Sequence, residues 1–298
     1  MSAAALALVL AGATCHAIWN IATKKAGGGL AFVWLFGLVS VLAAAPLAVW
    51  VWQTQAQFFT PAMWAVAVAS GLIHVVYSLV LQQAYKVSDF AVVYPIARGT
   101  GPTLSVLAAL FLLGEKPAVL GWAGVASVLA GVFLSAGALD LLRRQPAAAH
   151  DLVQKRQIRQ KGVIWGVLTG ICIAAYTVMD GWAIKSLGMQ PLLFYMVGLM
   201  VRTAVVAPFV FRQMPVLRIQ WQKNCRLILL VGVLSPLAYL LVLFAIQTAP
   251  LSYVAPVREV SMLMATFLGA RWLGESVRSA QWMGAALMLS GVLMISLS

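Results

Sequence analysis

Residues 113–132, LGEKPAVLGWAGVASVLAGV, and residues 273–292, LGESVRSAQWMGAALMLSGV, are two versions of one segment lying 160 positions apart. In that register Gly114, Glu115, Trp122 and Gly131 meet Gly274, Glu275, Trp282 and Gly291. Moving outward, Pro95 meets Pro256 after a shift of one residue. Near the amino terminus His16, Trp19 and Asn20 face Tyr176, Met179 and Asp180, again 160 positions on. Self-similarity over so long a period makes the chain two copies of one unit.

The unit belongs in a membrane. Of 298 residues, 63% are hydrophobic and only 9% charged, with a mean hydropathy of +0.96. A water-soluble domain of that composition would aggregate. Apolar runs of about 20 residues, each long enough to cross a hydrocarbon core of ~30 Å as a helix, follow one another almost without interruption. They predict helices at 3–23, 30–52, 62–83, 89–112 and 118–139, then at 162–184, 191–211, 225–247, 249–270 and 278–297. The expected fold is an all-α polytopic membrane protein. It has a first five-helix repeat over 1–139, a basic central loop over 140–161 and a second five-helix repeat over 162–298. Five is odd, so the second copy enters the membrane in the opposite sense. Inverted repeats of this kind mark transporters, with the site expected near the midplane between the halves.

The formal net charge of +13 does not point to nucleic acid, because the cations sit in loops. The densest group, Arg143, Arg144, Lys155, Arg156, Arg159 and Lys161, flanks a Pro/Ala/Gln stretch without aromatics, which reads as a topology anchor. Loops after odd-numbered helices also hold Lys24, Lys25, Lys86, Arg212, Arg218, Lys223, Arg226, Arg271 and Arg278, against Lys116 and Lys185 on the other side. The bias predicts a cytoplasmic central loop with both termini outside, in a bacterial inner membrane. Cys15, Cys172 and Cys225 lack metal spacing and read as buried free thiols. The first apolar run has no basic segment before it and continues through His16 and Asn20, unlike a cleaved signal peptide.

Ionisable groups inside spans cost roughly 2.5 to 3.5 kcal/mol each on insertion scales, and they face a cavity or one another. In the fourth helix Tyr94, Arg98 and Gly101 share a face, while Pro95 and Pro102 remove amide donors. This predicts a kinked helix presenting Arg98 to a polar cavity. A guanidinium there would hold a carboxylate, phosphonate or phosphate through a forked pair of hydrogen bonds; the other reading is an ion pair with Glu259 or Asp180. In the ninth helix Ser252, Pro256 and Glu259 share a face, with Arg258 turned about 100° from Glu259. Glu259 is a coupling carboxyl or a salt-bridge partner. His16, Trp19, Asn20 and Thr23 form a stripe on the first helix, matched by Tyr176 and Asp180 on its mate. Aligned stripes across the repeat predict cavity lining, with Trp19 and Tyr176 stacking on the substrate. His74 and Tyr77 line the cavity or hydrogen-bond between helices, and Arg202 belongs to the site or snorkels toward a headgroup. Glu115 and Glu275 end their helices as boundary residues, and the glycine-dense helices serve close packing.

Ten helices as two inverted halves, with Leu-Gly-Glu at 113–115 and again at 273–275, resemble the drug/metabolite transporter superfamily, EamA type, over essentially the whole chain. The resemblance implies a secondary carrier, commonly an exporter of amino acids or other small metabolites, with a central cavity between the repeats. Many members have Trp-Gly in the first helix where this chain has Ala17-Ile18-Trp19-Asn20, so only Trp19 and Asn20 carry over. The segment His16-Ala17-Ile18-Trp19-Asn20 is also similar to a branch associated with phosphonate use.

No G-x-x-x-x-G-K-[ST], H-E-x-x-H or G-x-S-x-G occurs, and His16, His74 and His150 are scattered, which argues against ATP-driven transport by this chain and against an enzyme. The expectation is a cofactor-free secondary carrier of a small organic anion or zwitterion, such as an amino acid, more often exported. Arg98 would hold the acid group. Asp180 or Glu259 would take an amino group or a coupling proton, and Trp19, Tyr94 and Tyr176 the apolar remainder. Competing readings are an organic-cation or drug efflux carrier, an aminophosphonate carrier, and, from another class, a channel or lipid scramblase.

Overall fold

In a computed structural model, which describes residues 1–27, 29–55, 57–88, 90–135, 149–273 and 279–298, every regular element is a helix. The first half contributes α1 (Ala3–Ala26), α2 (Leu30–Gln55), α3 (Pro61–Val87), α4 (Phe90–Leu112) and α5 (Val119–Ser135). The second contributes α6 (Ala149–Lys185), α7 (Pro191–Phe211), α8 (Met214–Thr248), α9 (Leu251–Arg258), α10 (Val260–Leu273) and α11 (Ser279–Leu297). Among the described residues seven of these, α1, α2, α3, α6 from Gln157, α7, α8 and α11, are long and apolar enough to cross a membrane. The ten spans are completed by α4, α5 and the α9–α10 pair. Leu42, Leu79, Phe209 and Leu293 are exposed around the bundle, as a lipid-facing surface requires and a water-facing one avoids.

Local chemistry sets the ends. The Ser2 hydroxyl accepts from the Ala5 amide at 3.2 Å, and α1 stops at Gly27, whose φ of 77° suits glycine. Thr60 caps α3, with Pro61 in the first turn where its missing N–H costs nothing.

Three boundaries differ from expectation. Residues 149–161, assigned to the central loop, form the first turns of α6; the stretch is rich in Gln, Lys and Arg, which are good helix formers, so its charge reports solvent and not coil. The segment at 214–224 is likewise helical and continues α8 through a bend at Asn224, whose φ is −126°. The Asn224 amide donates to the Ala26 carbonyl at 3.3 Å and to Gln220 at 2.9 Å. The ninth span is two helices that meet at Glu259. Arg143, Arg144, Gly274, Glu275 and Arg278 lie outside the described residues.

The packing follows the repeat. α4 lies on α6 as α1 lies on α10, α3 on α6 as α1 on α8, and α3 on α7 as α2 on α8, while α5 and α11 pair with each other. Small residues permit these crossings. A Cβ on Gly124 would stand 2.7 Å from the Gly291 carbonyl, and one on Gly131 would stand 2.6 Å from the Gly284 carbonyl, so the α5–α11 backbones touch directly.

Because the spans alternate, one face of the bundle carries both termini and the α2–α3, α4–α5, α6–α7 and α8–α9 connections. We call this the terminal face, and the opposite one, with Lys24, Lys25, Arg212 and Arg271, the basic face. The larger apolar core, including Val9, Val51, Ala67, Met189 and Leu251, fills the terminal half.

Candidate functional site

A cavity of about 250 Å³ occupies the middle of the bundle. Its walls come from α1 around Gly12–Trp19, the start of α2 at Leu30–Gly37, α3 at His74–Gln82, α7 at Tyr195–Val206 and α8 at Ser235–Val242. These segments lie around the midplane, those of α1, α2 and α3 extending toward the basic face.

Arg98 reaches the cavity from α4. Its Nη1 donates to Glu259 Oε2 at 3.0 Å, and its guanidinium carbon lies 5.6 Å from the Tyr94 ring centroid. Glu259 is 2% exposed in its side chain and caps α9, where its N–H bonds the Pro256 carbonyl at 2.9 Å. Arg98 thus faces the cavity and is paired from behind with Glu259. Arg258 was expected to point away from Glu259, yet its Nε lies 3.8 Å from Glu259 Oε1 and it lines the same cavity. Glu259 keeps a right-handed helical backbone, with φ −70° and ψ −10°, so it is the long Arg258 side chain that spans the angle between the two positions.

A second polar centre surrounds Asp180 of α6, which is 1% exposed. Ser70 Oγ donates to its Oδ1 at 2.5 Å, and the Tyr239 hydroxyl donates to Oδ2. His74 Nδ1–H donates to the Ser70 carbonyl at 2.9 Å, and its ring stacks on Tyr176 with centroids 4.1 Å apart. Tyr77 meets Tyr176 edge-on at 5.6 Å. Arg202 of α7 is a cavity residue and does not snorkel: its guanidinium lies 5.2 Å from the Tyr195 centroid and its Nε donates to the Gly198 carbonyl at 3.3 Å.

On α1, His16 and Trp19 line the cavity with rings 4.8 Å apart. Among the described residues His16 Nε2 and Trp19 Nε1 are buried without a hydrogen-bond partner, and such atoms are costly unless something else satisfies them. Asn20 instead donates to the His16 carbonyl at 2.8 Å. Eight of the twelve residues singled out in the sequence, His16, Trp19, His74, Tyr77, Arg98, Tyr176, Arg202 and Arg258, line the cavity; Tyr94, Asp180 and Glu259 stand behind it as supports, and Asn20 serves its own helix.

Sequence reasoning missed Tyr195, Tyr239 and Ser70, since tyrosine and serine are ordinary in spans and carry no local signal. It also missed the work of Glu115. This carboxylate leaves the first repeat to accept from the Leu251 and Ser252 amides of α9 at 2.7 and 2.9 Å, and it pairs with Lys185 at 3.0 Å. Burial raises its pKa; the Ser252 and Leu251 amides with Lys185 outweigh that and hold it below the ordinary value. Nearby, Ala118 N–H donates to the Tyr253 hydroxyl, and Gln57 donates to the Gly188 carbonyl at 2.8 Å and accepts from the Gln190 amide at 2.7 Å. These contacts tie the α2–α3, α4–α5, α6–α7 and α8–α9 connections of the terminal face together. Among the described residues no three of His, Cys, Asp and Glu converge to hold a metal ion.

Comparison with known proteins agrees with this architecture. The model of the EamA-like transporter family matches residues 3–137 and again 160–297, one match for each repeat. No curated protein matches the chain. One solved structure, described only as a crystal structure of a protein, is 15% identical, with a TM-score of 0.72 over 100% of this chain and 98% of that chain. At that identity the likeness is one of fold.

Proposed function

We propose, for a chain that belongs to the EamA-like transporter family, that it is a secondary carrier exporting a small organic anion or zwitterion, such as an amino acid or related metabolite. One observation carries the reading: Arg98, Arg202 and Arg258 face a single cavity near the midplane. A buried guanidinium keeps its charge and presents a fork that matches a carboxylate or phosphonate. Arg98 and Arg258 hold the acid group, with the unpartnered His16 Nε2 and Trp19 Nε1 beside them, and the tyrosines take the apolar remainder. Alternating access moves the two repeats against each other about this site. The proposed setting is a bacterial inner membrane with the basic face in the cytoplasm.

The aromatic lining favours a second reading, an organic-cation carrier, since Tyr176, Tyr195 and Tyr239 crowd one wall. Thermal unfolding of the purified protein against amino acids, organic acids, aminophosphonates and organic cations separates the two, because a ligand of the native state raises Tm by mass action. Stabilisation by an acid in the wild type and its loss in Arg98→Gln is the expected result. Stabilisation by cations alone moves the site to Asp180 and Glu259.

A further inference from the structure

We infer that this carrier is an obligate exchanger of solutes with one net negative charge, because its site holds a positive charge that the described residues around it leave uncancelled. The inference rests on the anion-binding reading above. Among the described residues the ionised groups facing or backing the cavity are Arg98, Arg202 and Arg258 against Asp180 and Glu259. Three guanidinium groups and two carboxylates leave a surplus of one positive charge. A proton gained by Asp180, Glu259, His16 or His74 enlarges that surplus.

The geometry distributes the charges unevenly. Glu259 is shared between Arg98 at 3.0 Å and Arg258 at 3.8 Å, Asp180 is held by the hydroxyls of Ser70 and Tyr239, and Arg202 rests on the Tyr195 ring. One more carboxylate from the cavity side would balance the arginines.

That imbalance matters most at one point of the cycle. Alternating access passes through a state closed to both faces, where water is withdrawn from the site and an unpaired charge is most costly. A bound monoanion cancels it. The loaded carrier therefore crosses, the empty one stays with its terminal face shut, and net flux requires a second solute for the return. A neutral zwitterion leaves the surplus in place, and a dianion reverses it.

Substrate-free opening of the terminal face tests this directly. Met189 is 0% exposed in the α6–α7 connection, between the residues bound by Gln57. Met189→Cys is introduced into protein whose Cys15, Cys172 and Cys225 are replaced by alanine, and its labelling by a charged maleimide is timed in lipid nanodiscs. Arg202→Gln removes the surplus and is expected to speed labelling at least about tenfold, a fraction of what inserting one charge costs. Arg258→Gln, a second balanced variant, behaves likewise, whereas Glu259→Gln, with two surplus charges, slows labelling. Arg202→Gln combined with Asp180→Asn restores the surplus and the slow rate, which mere loosening around residue 202 would not do. Equal rates across the series, or a fast double variant, overturn the exchange mode. The thermal panel tests the charge class independently: stabilisation by monoanions such as L-glutamate supports it, and stabilisation by neutral zwitterions alone overturns it while leaving Arg98 a carboxylate anchor.

Discussion

α4 and the α9–α10 pair are the same span in the two repeats, yet α4 crosses the bilayer as one helix while its mate is divided at Glu259. Both carry the shared proline, Pro95 and Pro256, so the proline alone does not decide the division. Among the described residues both ends of α9 have identifiable partners. The α9 amino terminus lies under the Glu115 carboxylate, which satisfies the Leu251 and Ser252 amides. At its other end, Glu259 turns its carboxylate to Arg98 while its backbone carbonyl accepts from the Met262 amide at 2.9 Å. The side-chain partners, Glu115 and Arg98, come from the first repeat, while the Glu259 backbone is satisfied within its own span. Backbone irregularity inside a membrane persists only where protein or water satisfies it; here Glu115 does so at the α9 amino terminus, and the span's own groups do so at Glu259.

Breaking the pair at the division has the largest expected effect. Glu259→Ala leaves Arg98 buried with its charge unpaired and is expected to lower stability by about 3–5 kcal/mol, read as Tm in detergent. Arg98→Gln together with Glu259→Gln recovers most of that loss, and so does the exchange Arg98→Glu with Glu259→Arg. If the single variant costs nothing, the division is not anchored by this pair.

A smaller effect, about 1–3 kcal/mol, is expected from Gly291→Ala, whose Cβ would stand 2.6 Å from the Gly124 carbonyl and force α11 off α5. Gly124→Ala should cost a similar amount, because the crossing is reciprocal.

Glu115→Gln sharpens the account of the capped end. Loss of charge-assisted bonds to the Leu251 and Ser252 amides and to Lys185 is expected to cost about 1.5–3 kcal/mol at neutral pH. Because the folded-state pKa of Glu115 lies below its ordinary value, its stabilisation is complete above the unfolded pKa of about 4.3 and fades as pH falls through the folded one. Tm measured from pH 7 downward should therefore converge for wild type and Glu115→Gln at acid pH. A constant gap assigns the carboxylate no electrostatic part. Smallest is Tyr239→Phe, which removes one of two hydroxyl donors to Asp180 and is expected to cost about 1 kcal/mol by the same thermal measurement.

Much of this was legible in the sequence because membranes make simple demands. Apolar length gave the spans, and the paired Leu-Gly-Glu segments gave the repeat. The scarcity of charge inside spans then made Arg98, Arg202 and Glu259 conspicuous, and each lies at or directly behind the cavity. Tyr239 and Ser70 were not legible, since a lone hydroxyl in a span announces nothing until its carboxylate partner is found 59 or 110 residues away. Glu115 was visible as half of a repeated motif but not as a cap, because helix ends that are satisfied from another element leave no trace in local periodicity. The helical character of residues 149–161 and 214–224 was hidden by reading charge as loop.

Arg98 and Glu259 are 161 residues apart, the same spacing as Pro95 and Pro256, so each occupies the other's place in the repeat. They meet where the two halves are related to one another. In a homodimer of identical five-helix subunits such a position would confront a copy of itself, arginine against arginine or glutamate against glutamate, and the contact would be repulsive. Opposite charges can face each other across that relation only when the two copies differ in sequence. The ion pair at the centre of the bundle is thus something a symmetric homodimer could not possess, and it marks the two halves as no longer interchangeable.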